Sequence, residues 1–159
     1  MARRKLPQAA SAQPKLIPVR KPFASFAVLC EEAKAFEDGS VSITKIINKW
    51  MLGGTALPVA ISFWVAVGLI GLPVREGRTV LLRFIRESDA IEIIRHEALI
   101  DTSSPDIQIL VPVPNFPVVS YGRYRFSVVF DNRELADIPF LIEPLPSGGA
   151  STDEDPGSS

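Results

Sequence analysis

The stretch that most constrains this chain lies toward its C-terminal end, where two short runs alternate strictly between apolar and polar residues. After Gly122, the residues Tyr124, Phe126, Val128 and Phe130 recur at period two, with Arg123, Arg125 and Ser127 between them. Asp131-Asn132-Arg133-Glu134 forms a polar break, and Ala136, Ile138, Phe140 and Ile142 then alternate with Asp137, Pro139 and Glu143. A period of two belongs to a strand, because successive side chains leave opposite faces. Two such runs joined by a polar turn predict an antiparallel hairpin, one face in a core and the other in water. Pro139 has no N–H to donate, which places the last strand at a sheet edge.

The same punctuation recurs upstream. Phe23 to Ala33 is mostly apolar and is followed by Glu37-Asp38-Gly39-Ser40, an Asp-Gly turn in which Gly accepts positive φ. Val41 to Trp50 carries the β-branched Val41, Ile43, Thr44, Ile46 and Ile47, which suit a pleated surface. Leu57–Leu72, Arg78–Glu87, Ile91–Ile100 and Ile107–Val113 each read as a strand, and Pro105, Pro112, Pro114 and Pro117 make the stretch before Val118 extended and irregular. The expected architecture is all-β, an antiparallel two-sheet sandwich of about eight strands.

Two segments admit a second reading. Gly53–Val74 has no charged residue and is long enough to span a bilayer; Pro58, Pro73, its glycines and its β-branched residues favour a buried strand entering a bend. Ser88–Asp101 could open a helix on Asp89 and Glu92, or run as a strand.

Composition sets the domain limits. In 159 residues, 17 Lys and Arg face 18 Asp and Glu, so no broad single-sign field covers the molecule. Residues 1–21 carry Arg3, Arg4, Lys5, Lys15, Arg20 and Lys21 without an acid, and residues 146–159 carry only Asp153, Glu154 and Asp155. Both ends are rich in Ala, Pro, Gln, Ser and Gly and have no periodic apolar face, so they read as a disordered basic arm and a disordered acidic tail. The sandwich domain is expected over residues 22–145.

Familiar chemistry finds little to stand on. Cys30 is the only cysteine and His96 the only histidine. An internal disulfide is therefore impossible and a thiolate-rich zinc site is excluded. On a helix Glu92 and His96 would share a face at metal-chelating spacing, but further ligands are missing, and no metal or cofactor is expected. Cys30 beside Glu31 and Glu32, with His96 as a base, would be a nucleophile reading; a buried structural cysteine is the commoner case, and the two carboxylates alternate across a strand. No phosphate-cradling glycine loop, nucleophile elbow or Cys-x-x-Cys pair occurs, so no catalytic residue is assigned and no enzymatic activity is expected. The remaining candidates are basic: Arg3, Arg4, Lys5, Arg20 and Lys21 of the arm, with Arg123 and Arg125 extending the patch, could neutralise phosphates, although aromatic residues for base stacking are lacking.

Phe26-Ala27-Val28-Leu29-Cys30-Glu31-Glu32-Ala33, with Asp38-Gly39 and Val41-Ser42-Ile43 after it, together with Gly122-Arg123-Tyr124-Arg125-Phe126 leading to Ile138-Pro139-Phe140, resembles a family of small uncharacterised bacterial β-sandwich proteins defined by a domain of unknown function. The resemblance covers about a third of the domain and implies a sandwich with an opening and a closing hairpin, and a bacterial origin; it brings no active-site residues. It does not extend to the apolar Gly53–Val74 stretch or to either tail. The expected role is a non-enzymatic accessory or protein-binding module of the cytoplasm, outside the membrane. A nucleic-acid-associated protein using the basic arm is the alternative, and an unrecognised enzyme comes after it.

Overall fold

A computed structural model describes residues 21–54, 56–75, 77–100 and 103–146. The strands are β1 (Phe23–Ala35), β2 (Val41–Ile47), β3 (Lys49–Leu52), β4 (Val59–Ile70), β5 (Thr79–Arg86), β6 (Ile91–Leu99), β7 (Ile107–Val118), β8 (Gly122–Phe130) and β9 (Arg133–Pro144). They form a four-stranded sheet in the order β2-β1-β4-β7 and a five-stranded sheet in the order β3-β9-β8-β5-β6. The chain is all-β, a sandwich of two sheets, and the described residues contain no helix. Residues 1–20 and 147–159, which hold most of the basic arm and acidic tail, lie outside the described residues.

The described residues hold nine strands where about eight were expected, because Val41–Trp50 divides at Asn48. β2 stays beside β1, whereas β3 crosses to the other sheet and pairs in parallel with β9, from Lys49↔Leu141 to Leu52↔Pro144. Packing explains the crossing: Trp50 reaches the core, its ring 5.0 Å from that of Phe63 and 5.5 Å from that of Phe140. Periodicity records which face is apolar, and it is silent about which sheet the strand joins.

The alternation read in the sequence builds the core. Tyr124, Phe126 and Val128 of β8 and Phe140 and Ile142 of β9 meet Phe63, Val65 and Val67 of β4 across the sandwich. Phe84 is the hub, its ring 5.6 Å from Phe63, 5.4 Å from Phe116 and 5.0 Å from Phe126. Tilted and edge-on contacts of this kind align the positive ring edge with a neighbour's negative face. The Tyr124 hydroxyl donates to Ser120 O at 2.7 Å and ties the turn before β8 to the strand. Arg78 is buried and crosslinks two loops, donating to Pro73 O at 2.9 Å and to Ser104 O at 3.0 Å.

Gly53–Val74 resolves into β4, which lies between β1 and β7. No helix of the described residues is long and apolar enough to cross a membrane. β4 is apolar on both faces because both are covered. Its odd residues Phe63 to Leu69 enter the main core, and its even residues Trp64 and Ala66 join a second cluster with Phe26, Val28, Cys30, Ala33, Ile43 and Leu110. The distal half of the β1–β2 hairpin provides that second cover. β1 pairs with β4 only as far as Cys30↔Trp64, yet stays paired with β2 to Ala35↔Val41. Ser25 and Ala35, near opposite ends of β1, line one cavity of about 480 Å³ together with Gly39, Gly68 and Leu110. The strand is therefore strongly bent, and its tip folds over the outside of the four-stranded sheet.

Ser88–Asp101 contains a strand, β6, and the described part of the segment has no helix. Asp89 serves a turn: it accepts from Arg86 Nε at 3.0 Å and from the Ile91 N–H at 3.3 Å, beside Ala90 at φ 56°. β7 is extended through Pro112, Pro114 and Pro117 to Val118, and irregular at a bulge between Val113 and Phe116 where Asn115 has φ 54°. It stays a strand throughout because it borders its sheet, where a missing donor breaks no second ladder. The expected edge position of the last strand needs correction: β9 is an edge only over residues 133–140, since β3 covers it from Leu141 onward. The Leu141 N–H donates to Asn48 O at 3.0 Å, so the alternating position Pro139 lacks its donor on this same side, just before β3 begins.

Candidate interaction edge

A strand pairs through backbone donors, so the free rims of the two sheets are the places where another chain could add. Among the described residues those rims are β2 and β7 of one sheet and β3 and β6 of the other, with the uncovered residues 133–140 of β9. Three prolines interrupt β7. β2 is seven residues long and carries Lys45 at φ 51°, and β3 has four residues. Pro139 blunts the open part of β9. β6 differs from all of these: it is nine residues long, contains no proline, and pairs on one side only.

The register of β6 sets which groups face outward. The Ile100 N–H donates to Arg78 O at 3.1 Å, toward β5. By alternation the donors of Ala98, His96 and Ile94 also face β5, and those of Glu97 and Arg95 face the open rim. Side chains alternate in the perpendicular direction. Ile94, His96 and Ala98 stand opposite Phe84, Leu82 and Val80 on the core side, while Arg95 and Glu97 stand opposite Arg83 and Leu81 on the outer side. A bulge between Ile94 and Glu92 ends this regular segment.

Beside the rim the sandwich is open. A cleft of about 620 Å³ runs between β6 and β7, lined by residues from His96 to Ile100 and from Asp106 to Val111. An apolar hollow of about 170 Å³ shares His96 and Val111 with it and reaches Val65, Leu82, Phe84 and Val113. Leu99 at 79% and Ile91 at 48% exposure mark the two ends of β6 as solvent-facing apolar residues.

The residues singled out from the sequence fall elsewhere. Arg3, Arg4, Lys5 and Arg20 lie outside the described residues. Lys21 is the first described residue, and Arg123 and Arg125 share the outer face of β8. Arg125 is neutralised there: its Nε donates to Asp137 Oδ1 at 2.9 Å, its Nη2 bonds Asp137 Oδ2, and Glu134 stands 4.0 Å away. The hydrogen bond to Asp137 pushes its pKa further up. Arg123 lines a shallow hollow of about 400 Å³ with Asn48, Lys49 and Pro139, and Lys49 is paired with Glu143. Arg83 holds Glu92 at 2.6 Å, and Arg95 stands 3.7 Å from Glu97. The outer face of this sheet is a mosaic of opposite charges.

Cys30 and His96 do not meet. Cys30 is fully buried in the cluster outside the four-stranded sheet, its Sγ 3.7 Å from Trp64 O, and burial pushes the thiol pKa up. His96 is exposed on β6 of the other sheet. Glu31 pairs with Lys45 at 3.0 Å and Glu32 with Lys34 at 2.9 Å. Glu92 and His96 lie on a strand, where the helical chelating geometry is lost. Among the described residues no group of three or more His, Cys, Asp or Glu is placed to hold a metal ion. The sequence marks Ile91–Ile100 as a strand, with a helix as the second reading, and β6 bears out the strand; that this strand borders its sheet was not legible.

No family model and no curated protein matches the chain. Among solved structures, an immunoglobulin-like protein from Pseudomonas aeruginosa aligns with a TM-score of 0.44 at 15% identity, over 79% of this chain and 99% of that one. A beta-glucosidase from Listeria innocua, solved with glucose and with isofagomine, aligns at TM-scores of 0.41 and 0.39 with 7% and 8% identity. Both alignments cover 76% of this chain, which spans 16% of the length of the glucosidase.

Proposed function

We propose that this domain is a non-enzymatic protein-interaction module of a bacterial cytoplasm, and that it takes up an extended segment of a protein partner by strand addition on β6. The observation that carries the reading is the rim of β6: nine residues without proline, exposed, and unpaired on one side among the described residues. In strand addition the backbone supplies affinity and alternate side chains supply specificity. The Arg95 and Glu97 N–H groups are the outward donors, and the cleft shared with β7 would receive the core-side side chains of the added segment. The bacterial setting follows the sequence resemblance, and a single buried cysteine is compatible with a reducing compartment. Protein binding is preferred to nucleic-acid binding because Arg125 is already neutralised by Asp137 and Glu134.

Selection of a displayed peptide library against the full chain tests the reading. Selected peptides are expected to lose binding to Glu97→Pro, which removes an outward donor without touching the ladder to β5. Peptides that bind Glu97→Pro as well as the wild type would overturn it.

A further inference from the structure

The partner strand itself is suggested by the order of residues on β6. In an antiparallel pair, residues directly opposite share a face and a hydrogen-bonding role, so a strand that pairs with its own copy must centre on a residue. Centred on Arg95, β6 would set Arg95 against Arg95; centred on Glu97, it would set two carboxylates together. Centred on Ile94 or on Ala98, neither charge meets its opposite within β6. Centred on His96, Arg95 faces Glu97 of the second copy and Glu97 faces its Arg95, while Ile94 faces Ala98 on the core side.

We propose that β6 docks on β6 of a second copy of this chain, antiparallel about His96, joining the two five-stranded sheets edge to edge. This rests on the reading of β6 as a docking rim and names its occupant. The charge match is the argument for a second copy: both charged residues of the regular segment find an opposite charge in this register alone. Arg95 and Glu97 are also the residues whose N–H groups face outward, so the charged pairs are the hydrogen-bonded pairs of the new ladder. His96 then meets His96 across the two-fold axis at a non-hydrogen-bonded pair, where Cα atoms approach to about 4.5 Å. That separation lies within the range a disulfide bridges.

Sedimentation of the full chain across a dilution series, with charge variants and a crosslink, tests the proposal. The wild type is expected to form a concentration-dependent dimer. Arg95→Glu and Glu97→Arg each place like charges opposite one another twice and are expected to weaken it about tenfold, and the double variant restores it to within about twofold. His96→Cys is expected to form an intermolecular disulfide under mild oxidation, and Cys30→Ala combined with it leaves that crosslink unchanged. A chain monomeric at every concentration up to about 1 mM overturns the proposal, as does a dimer that persists in Glu97→Pro. The two readings separate cleanly. A monomer whose selected peptides still require the Glu97 N–H keeps β6 as a docking rim and loses only self-pairing, whereas peptides indifferent to Glu97→Pro remove the rim reading as well.

Discussion

The ring of Phe26 fills the space over Gly68 where a side chain would otherwise stand. The two residues are cross-strand partners on β1 and β4, and a Cβ at Gly68 would come within 2.4 Å of Phe26 Cε1 and 2.6 Å of Ser25 Oγ. Glycine is needed at this position for close approach, and the aromatic ring covers the backbone it leaves bare. The pair sits under the folded-over hairpin, so it helps hold the second apolar layer in place.

Gly68→Ala is therefore expected to displace the Phe26 ring and destabilise the domain by about 1–3 kcal/mol, the usual range for overpacking. In a Phe26→Ala background the same substitution should cost much less. A double-mutant cycle measured by urea denaturation checks the coupling; additive effects would show that the ring and the glycine are independent.

Tyr124→Phe keeps the buried ring and removes the hydroxyl that donates to Ser120 O. The expected loss is about 0.5–1.5 kcal/mol, with the carbonyl free to find water in the turn. Faster amide exchange around Ser120, with the β8 core amides unchanged, would localise the effect to that turn.

Cys30 is expected to resist alkylation in the folded chain. Its Sγ is buried in the second cluster and desolvation keeps the thiol protonated, so the reactive thiolate is scarce. Iodoacetamide at neutral pH should label the chain completely in denaturant and only slowly in native buffer. Rapid native labelling would mean that the β1–β2 hairpin lifts readily from the sheet.

Acid should weaken two turns. Asp38, through its hydrogen bonds with Ser40, and Asp89, through those with Arg86, titrate below the ordinary value of 3.8. A carboxyl whose folded pKa is depressed contributes stability that is present above its unfolded value and lost as pH falls through the folded one. The urea midpoint should thus decline below about pH 4, and Asp89→Asn should flatten part of that decline. An unchanged acid profile in Asp89→Asn would show that this turn contributes nothing to it.

The open rim of β6 was poorly legible because its defining property is an absence. Nothing in Ile91–Leu99 announces that β6 has a neighbour on one side only. Glu92 and His96 suggested a helical face, and the turn that made them strand residues depends on Arg86 closing on Asp89. The basic residues that did stand out were legible as charges, while the partners that neutralise Arg125 come from β9.

The alternation of Tyr124, Phe126 and Val128 with Arg123, Arg125 and Ser127 determined by itself that β8 is a strand with one face in a core, and the Asp38-Gly39 turn was equally local, with Gly39 at φ 82° and Asp38 Oδ1 accepting from the Ser40 N–H at 2.9 Å. Tertiary structure alone decided that β3 leaves β2 for β9, that Pro139 stands where β9 stops being an edge, and that β4 is covered on both faces. The reason is physical. Side-chain polarity is written residue by residue and records which face is buried, whereas nearly every residue offers the same N–H and C=O, so the neighbour a strand pairs with is selected only when the whole core packs.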